Sequence, residues 1–77
     1  MRDIEERVKT IMADVFVCQI EDINENTKKE DLDNWDSLQH LIFASKLESE
    51  FDVKFTPEEI NSMTNFQLIN SIVKRKL

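Results

Sequence analysis

Apolar residues recur early in the chain at Ile4, Val8, Ile11, Met12, Val15 and Phe16. They fall at the i, i+4, i+7, i+8 spacing of one helix face, and predict a first helix over about residues 3–18. Residues 19–36 lose this period and fill with Asn24, Asn26, Thr27, Lys28, Lys29 and Asp31, leaving Ile20, Ile23 and Leu32 as the available anchors. That pattern predicts a long loop, and a loop of this length in a small domain usually serves function.

Periodicity returns after Asp36, whose carboxylate can accept from the first-turn amides, with Gln39 placed three residues on as in a capping box. The second helix is predicted over 36–51. Its apolar residues, Leu38, Leu41, Ile42, Phe43, Ala44, Leu47 and Phe51, cover more than one stripe, which predicts a central helix contacted from several sides. Thr56-Pro57-Glu58-Glu59 combines a cap, a proline at the first helical position and a closing glutamate, and opens a short third helix over 57–62. Thr64 with Gln67 repeats the capping spacing before Phe66, Ile69, Ile72 and Val73, so a fourth helix is predicted over 65–76. Lys74-Arg75-Lys76 then complements the negative end of its dipole. Residues 51–55 alternate apolar with polar, but with no second strand to pair they read as an extended linker.

The expected fold is therefore all-α: one domain over 1–77, a four-helix bundle with a long loop between helices 1 and 2 and a short third helix. Its size permits a modest core, since so short a chain buries only about 60% of its unfolded surface. Apolar residues make up 40% and charged residues 34%, and no run approaches the ~18 apolar residues of a membrane span. The opening MRDIEERVKT lacks the unbroken apolar stretch of a secretory signal. Cys18 is the single cysteine, so no internal disulfide is possible and a cytoplasmic location is the default.

Charge adds a direction. The net −6 argues against nucleic acid, whose binding needs Lys and Arg on phosphates. Residues 21–35 and 36–59 each hold six acidic and two basic residues, whereas 60–77 hold three basic and no acidic ones. The acidic middle points to basic partners. Glycine is absent, which removes the Gly-rich phosphate loops of nucleotide enzymes.

The candidate chemistry lies in Asp33-Asn34-Trp35-Asp36-Ser37-Leu38, a serine at a helix start after the long loop. Asp36-Ser37-Leu38 resembles the attachment motif of acyl and peptidyl carrier proteins. The likeness extends to the Leu47-Glu48-Ser49-Glu50-Phe51 close of the second helix and to Phe55-Thr56-Pro57-Glu58-Glu59-Ile60, and so covers the whole chain. It implies a bundle of acyl-carrier type, with 4'-phosphopantetheine esterified to Ser37 by a phosphopantetheinyl transferase and cargo held on the terminal thiol of that arm. Cys18 is not that thiol. It also implies acyl-activating, synthase or acyltransferase partners with basic docking patches, no membrane insertion and a monomeric carrier. In this family the acyl chain enters a cavity between helices, which some of Leu41, Leu47, Ile60 and Ile69 would line. Without the resemblance, Ser37 is a first-turn helix residue beside its cap, and the chain a small helical interaction domain that receives no arm.

Other chemistries meet obstacles. Ser37 and His40 share a helix face, yet nucleophilic catalysis also needs an orienting acid, an oxyanion site and usually a cleft, so no catalytic residue is assigned. His40 is expected at the surface near the arm, or partly packed. An EF-hand counted from Asp31 would have Trp35, Asp36 and Ile42 at its fifth, sixth and twelfth positions, where an oxygen ligand, glycine and glutamate are needed. One histidine and one cysteine fall short of a zinc site. No metal is expected.

Trp35 is read either as a partner contact, a frequent role of tryptophan, or as a ring that pins the loop onto the bundle. The five phenylalanines, Phe16, Phe43, Phe51, Phe55 and Phe66, are read as core. Many fatty-acid carriers follow the serine motif with acidic residues; here Gln39 and Ile42 take those places and Lys46 stands one turn beyond. The glycine usual two places before the motif's Asp is replaced by Asn34. Motif and partner recognition is therefore assigned to Trp35, Asp36, Leu38, Gln39, Ile42 and Lys46. These departures suggest a dedicated pathway, with general fatty-acid synthesis as the alternative.

Overall fold

Asp3, in extended backbone, turns its carboxylate onto the Glu6 amide at 2.8 Å and so begins α1, Ile4–Val15. Such a cap satisfies one of the donors that every helix start leaves unpaired. The computed structural model describes residues 3–77; Met1 and Arg2 of the expected domain lie outside the described residues.

α1 ends at Val15, short of the expected 18. Phe16 closes the last turn with its N–H on the Met12 carbonyl at 2.9 Å, and Val17 turns into left-handed backbone at φ 51°. Cys18 then donates back to the Ala13 carbonyl at 3.1 Å, the six-to-one bond of a Schellman ending. Glycine normally fills the left-handed position. A chain with no glycine places valine there, at a cost of about 1–2 kcal/mol. The apolar period outlasts the helix because Phe16, 1% exposed, stays in the core after the helix has stopped.

The loop that follows is folded. Two 3₁₀ turns, Ile20–Asp22 and Lys29–Asp31, flank a buried Thr27. The Thr27 hydroxyl accepts from the Asn24 amide at 2.8 Å and donates to the Asp22 carbonyl at 3.3 Å. Ile23 is buried and Leu32 half-buried against the core, as anchors should be, whereas Ile20 is exposed. The loop is then stapled to the far end of the chain: Lys29 donates to the Thr64 carbonyl (3.0 Å) and Phe66 to that of Thr27 (2.8 Å). Thr64 is thereby used through its backbone, and the cap of α4, Phe66–Lys76, is Asn65, whose side chain accepts from the Leu68 amide.

α2 spans Ser37–Phe51 and ends where Asp52 enters left-handed backbone at φ 54°. α3 spans Pro57–Ser62, and its capping box closes in both directions: Glu59 accepts from the Thr56 amide at 2.8 Å and Thr56 from the Glu59 amide at 3.1 Å. Residues 52–55 form the linker between them; among the described residues the only β pairing is the isolated bridge of Lys28 with Asn65.

Glu59 also meets the Lys76 ammonium at 2.8 Å, tying α3 to the end of α4. The Lys76 hydrogen bond, followed by that of the Thr56 amide, holds the Glu59 carboxyl below the usual carboxylate range. Its folded pKa is depressed, so its contribution is complete above the ordinary carboxyl pKa and disappears as pH falls through the lowered value. Acidification through that range is expected to lower the protection of the Thr56 amide, its exchange by NMR relative to an unstructured amide at the same pH, and Glu59→Gln should remove that pH-dependent loss.

The closest packing is α1 against α2, α4 and the first 3₁₀ turn, and α3 against α4. α1, rather than the expected α2, therefore holds the central place. Arg7 fixes the antiparallel α1–α2 pair at one pole, donating to Glu50 Oε2 (2.8 Å) and the Glu50 carbonyl (3.0 Å) while lying 4.3 Å from the Phe51 ring centroid. All five phenylalanines are buried, together with Val8, Met12, Leu47, Met63, Ile69 and Val73. α2 gives this core only Phe43, Ala44, Leu47 and Phe51. Its remaining apolar residues face outward.

Candidate functional site

At the other pole, the end of α1 meets the start of α2. Asp36 adopts extended backbone and accepts the Gln39 amide at 2.8 Å, while its carbonyl accepts that of His40, also at 2.8 Å. This places Ser37, exposed, as the first residue of α2. The unpaired amides and dipole of a helix start favour negative charge, so a phosphodiester on the Ser37 hydroxyl would be well placed. Such a site would receive a phosphorylated arm without a cationic side chain.

Trp35, weighed as a partner contact, is 3% exposed and lies in the core. Its ring stacks on Phe16 (centroids 4.7 Å apart, 20° between planes), and both rings meet Phe43, at 6.4 and 5.2 Å. The indole Nε1–H donates to His40 Nδ1 at 2.8 Å, and His40 Nε2 lies 2.6 Å from the Ile60 carbonyl. An indole nitrogen can only donate, so Nδ1 accepts and Nε2 carries the hydrogen given to Ile60. His40 is thus half-buried and committed at both ring nitrogens. It has no lone pair left to take a proton from Ser37.

Sequence spacing could not show this bridge. Trp35 and His40 stand five apart, outside the pairs that share a helix face, and Ile60 contributes through its backbone. Asn34 is similar. It has no left-handed backbone to accommodate, since Val17 and Asp52 are the positive-φ positions among the described residues. Its side-chain amide instead donates to the Phe16 carbonyl at 3.0 Å. The residue that departs from the family pattern therefore ties the motif to the end of α1.

The other assigned positions lie outward. Leu38 is 66%, Leu41 58% and Ile42 37% exposed, and Gln39 is half-buried. Lys46 Nζ lies 3.9 Å from Asp14 Oδ2, an exposed pair of the kind worth about 0–1 kcal/mol. Of the residues expected to line a cargo cavity, Leu47 and Ile69 are fully buried, Ile60 is half-buried and Leu41 lies on the surface. Burial, with Asp22 nearby, pushes the half-buried Cys18 thiol up. Asp31 accepts from the Lys28 amide, and among the described residues no group of three or more His, Cys, Asp or Glu could hold a metal ion.

A small helical bundle that presents one exposed serine at a capped helix start, braced from behind by an aromatic cluster, has the form of a carrier domain. Residues 6–74 match the family described as "Phosphopantetheine attachment site". The chain is 34% identical over 76 residues to the acyl carrier protein of Buchnera aphidicola subsp. Baizongia pistaciae, a match covering 97% of this chain and 96% of that one. The solution structure of holo acyl carrier protein from Geobacter metallireducens superposes with a TM-score of 0.82 at 26% identity, over 94% of this chain and 83% of that one. The chain belongs to the acyl carrier protein family, and its cofactor is covalently attached 4'-phosphopantetheine. Among the described residues, no helix is long and apolar enough to cross a membrane.

Proposed function

We propose that Ser37 bears the arm, and that the chain tethers acyl or aminoacyl intermediates as thioesters for a dedicated biosynthetic pathway, such as specialised-metabolite or surface-glycan acylation. Its partners are then a phosphopantetheinyl transferase and the activating, synthase or acyltransferase enzymes of that pathway. The chain is a carrier and the partners supply the catalysis. The free thiol of Cys18 suits the reducing cytoplasm.

The observation that carries the pathway reading is the surface beside Ser37. Uncharged Gln39 and exposed Ile42 stand where many fatty-acid carriers are acidic, with exposed Leu38 and Leu41 beside them and cationic Lys46 one turn beyond. Burying one such Leu or Ile in a partner contributes about 1.5–3 kcal/mol, against about 0–1 kcal/mol for an exposed ion pair. Apolar contact therefore dominates docking near the arm, and a partner relying on basic patches gains little there. The test is transfer from the loaded protein to housekeeping fatty-acid synthesis enzymes, beside enzymes encoded by neighbouring genes. Efficient turnover is expected only with the second set; efficient elongation by the housekeeping set alone would remove the pathway reading.

A further inference from the structure

We propose that His40 determines where cargo can go: it keeps the space between α2 and α3 closed, so that an acyl group on the arm stays outside the bundle. This rests on Ser37 as the attachment residue. An apolar group leaving Ser37 has two places to shed water, the exposed Leu38, Leu41 and Ile42 or the interior between α2 and α3. The second route is crossed one helical turn below Ser37 by the His40 bond to the Ile60 carbonyl. Behind it stands the stacked Trp35–Phe16 pair with Phe43, and deeper still Leu47, Met63 and Ile69 are already fully buried.

Entry would leave the indole N–H of Trp35 and the carbonyl of Ile60 without their partner. Both bonds are part-buried, so losing them still carries a penalty, and a short acyl group has too few methylenes to bury to offset two of them. A polar group gains nothing by entering. An open groove of about 570 Å³ offers no substitute, because it lies between α1 and α2 and is lined mainly by Asp14, Ser45, Lys46, Ser49 and Glu50. The carrier is built for short or polar cargo, displayed rather than sequestered.

The test compares methyl and indole NMR signals of the unacylated arm-bearing protein with those of the octanoyl-loaded form. Shifts are expected at Leu38, Leu41 and Ile42 and none at Leu47, Ile69 or the Trp35 indole N–H. In His40→Ala, octanoyl loading should shift Leu47 and Ile69; Trp35→Phe, which removes the indole donor but keeps an aromatic ring there, serves if that variant fails to fold. Shifts of Leu47 and Ile69 in the octanoyl-loaded wild type, or unmoved buried signals in the opened variant, would overturn the role of His40. Intact mass separates the underlying reading: absence of the pantetheine mass would remove attachment at Ser37 and this inference together, whereas a loaded arm with buried shifts removes the inference alone.

Discussion

Ser37→Ala is expected to abolish arm loading, and with it every thioester the protein can form, while leaving the fold intact. With Ser37 as the proposed attachment residue, its hydroxyl is the group to be esterified, so the expected loss is complete rather than graded. Stability should change by no more than about 0.5 kcal/mol, as for exposed positions away from special features. The start of α2 is held by the Asp36 cap and not by the Ser37 side chain. Intact mass after co-expression with a broad phosphopantetheinyl transferase reads the first effect and urea denaturation the second. A loaded variant would assign the arm elsewhere.

Trp35→Ala is expected to be the most destabilising single change near the site. It removes a ring packed on Phe16 and Phe43, and truncating a buried aromatic costs about 3–5 kcal/mol. It also strips His40 Nδ1 of its donor, for about 1–3 kcal/mol more. Against the 5–15 kcal/mol typical of a domain, this is at least about a third of the total in most cases. Trp35→Phe keeps an aromatic ring beside Phe16 but loses the hydrogen bond, at about 1–3 kcal/mol, and part of the ring's packing, so it should cost clearly less than Trp35→Ala. Equal urea midpoints for the two variants would show that the ring cluster contributes little.

The helices were legible where capping and period agree. Thr56-Pro57 with Glu59, and Asp36 ahead of its apolar run, mark starts that the structure keeps. The end of α1 was less legible, because Phe16 continues the apolar period past Val15, the last helical residue, and no glycine marks the turn at Val17. The cap of α4 shifted from Thr64 to Asn65 for a non-local reason, the pairing of Thr64 with Lys29. A sequence window cannot contain both partners of such a bond.

The breadth of apolar positions on α2 was read as a sign of burial on several sides, and the structure puts Leu38, Leu41 and Ile42 outside instead. Composition cannot tell a buried second stripe from a surface awaiting a partner; only the placement of α1 and α3 decides it. Ser37 was visible because its position depends on local features, a cap and a turn. The Trp35–His40–Ile60 bridge was not, since it joins residues 25 positions apart through a backbone carbonyl.

Attachment at Ser37 is tested most directly by fragmenting the wild-type chain after co-expression with the transferase and locating the added mass. A single phosphopantetheine on the fragment that contains Ser37 is the expected result. The same mass on any other residue, or an unmodified Ser37 in fully folded protein, would contradict it.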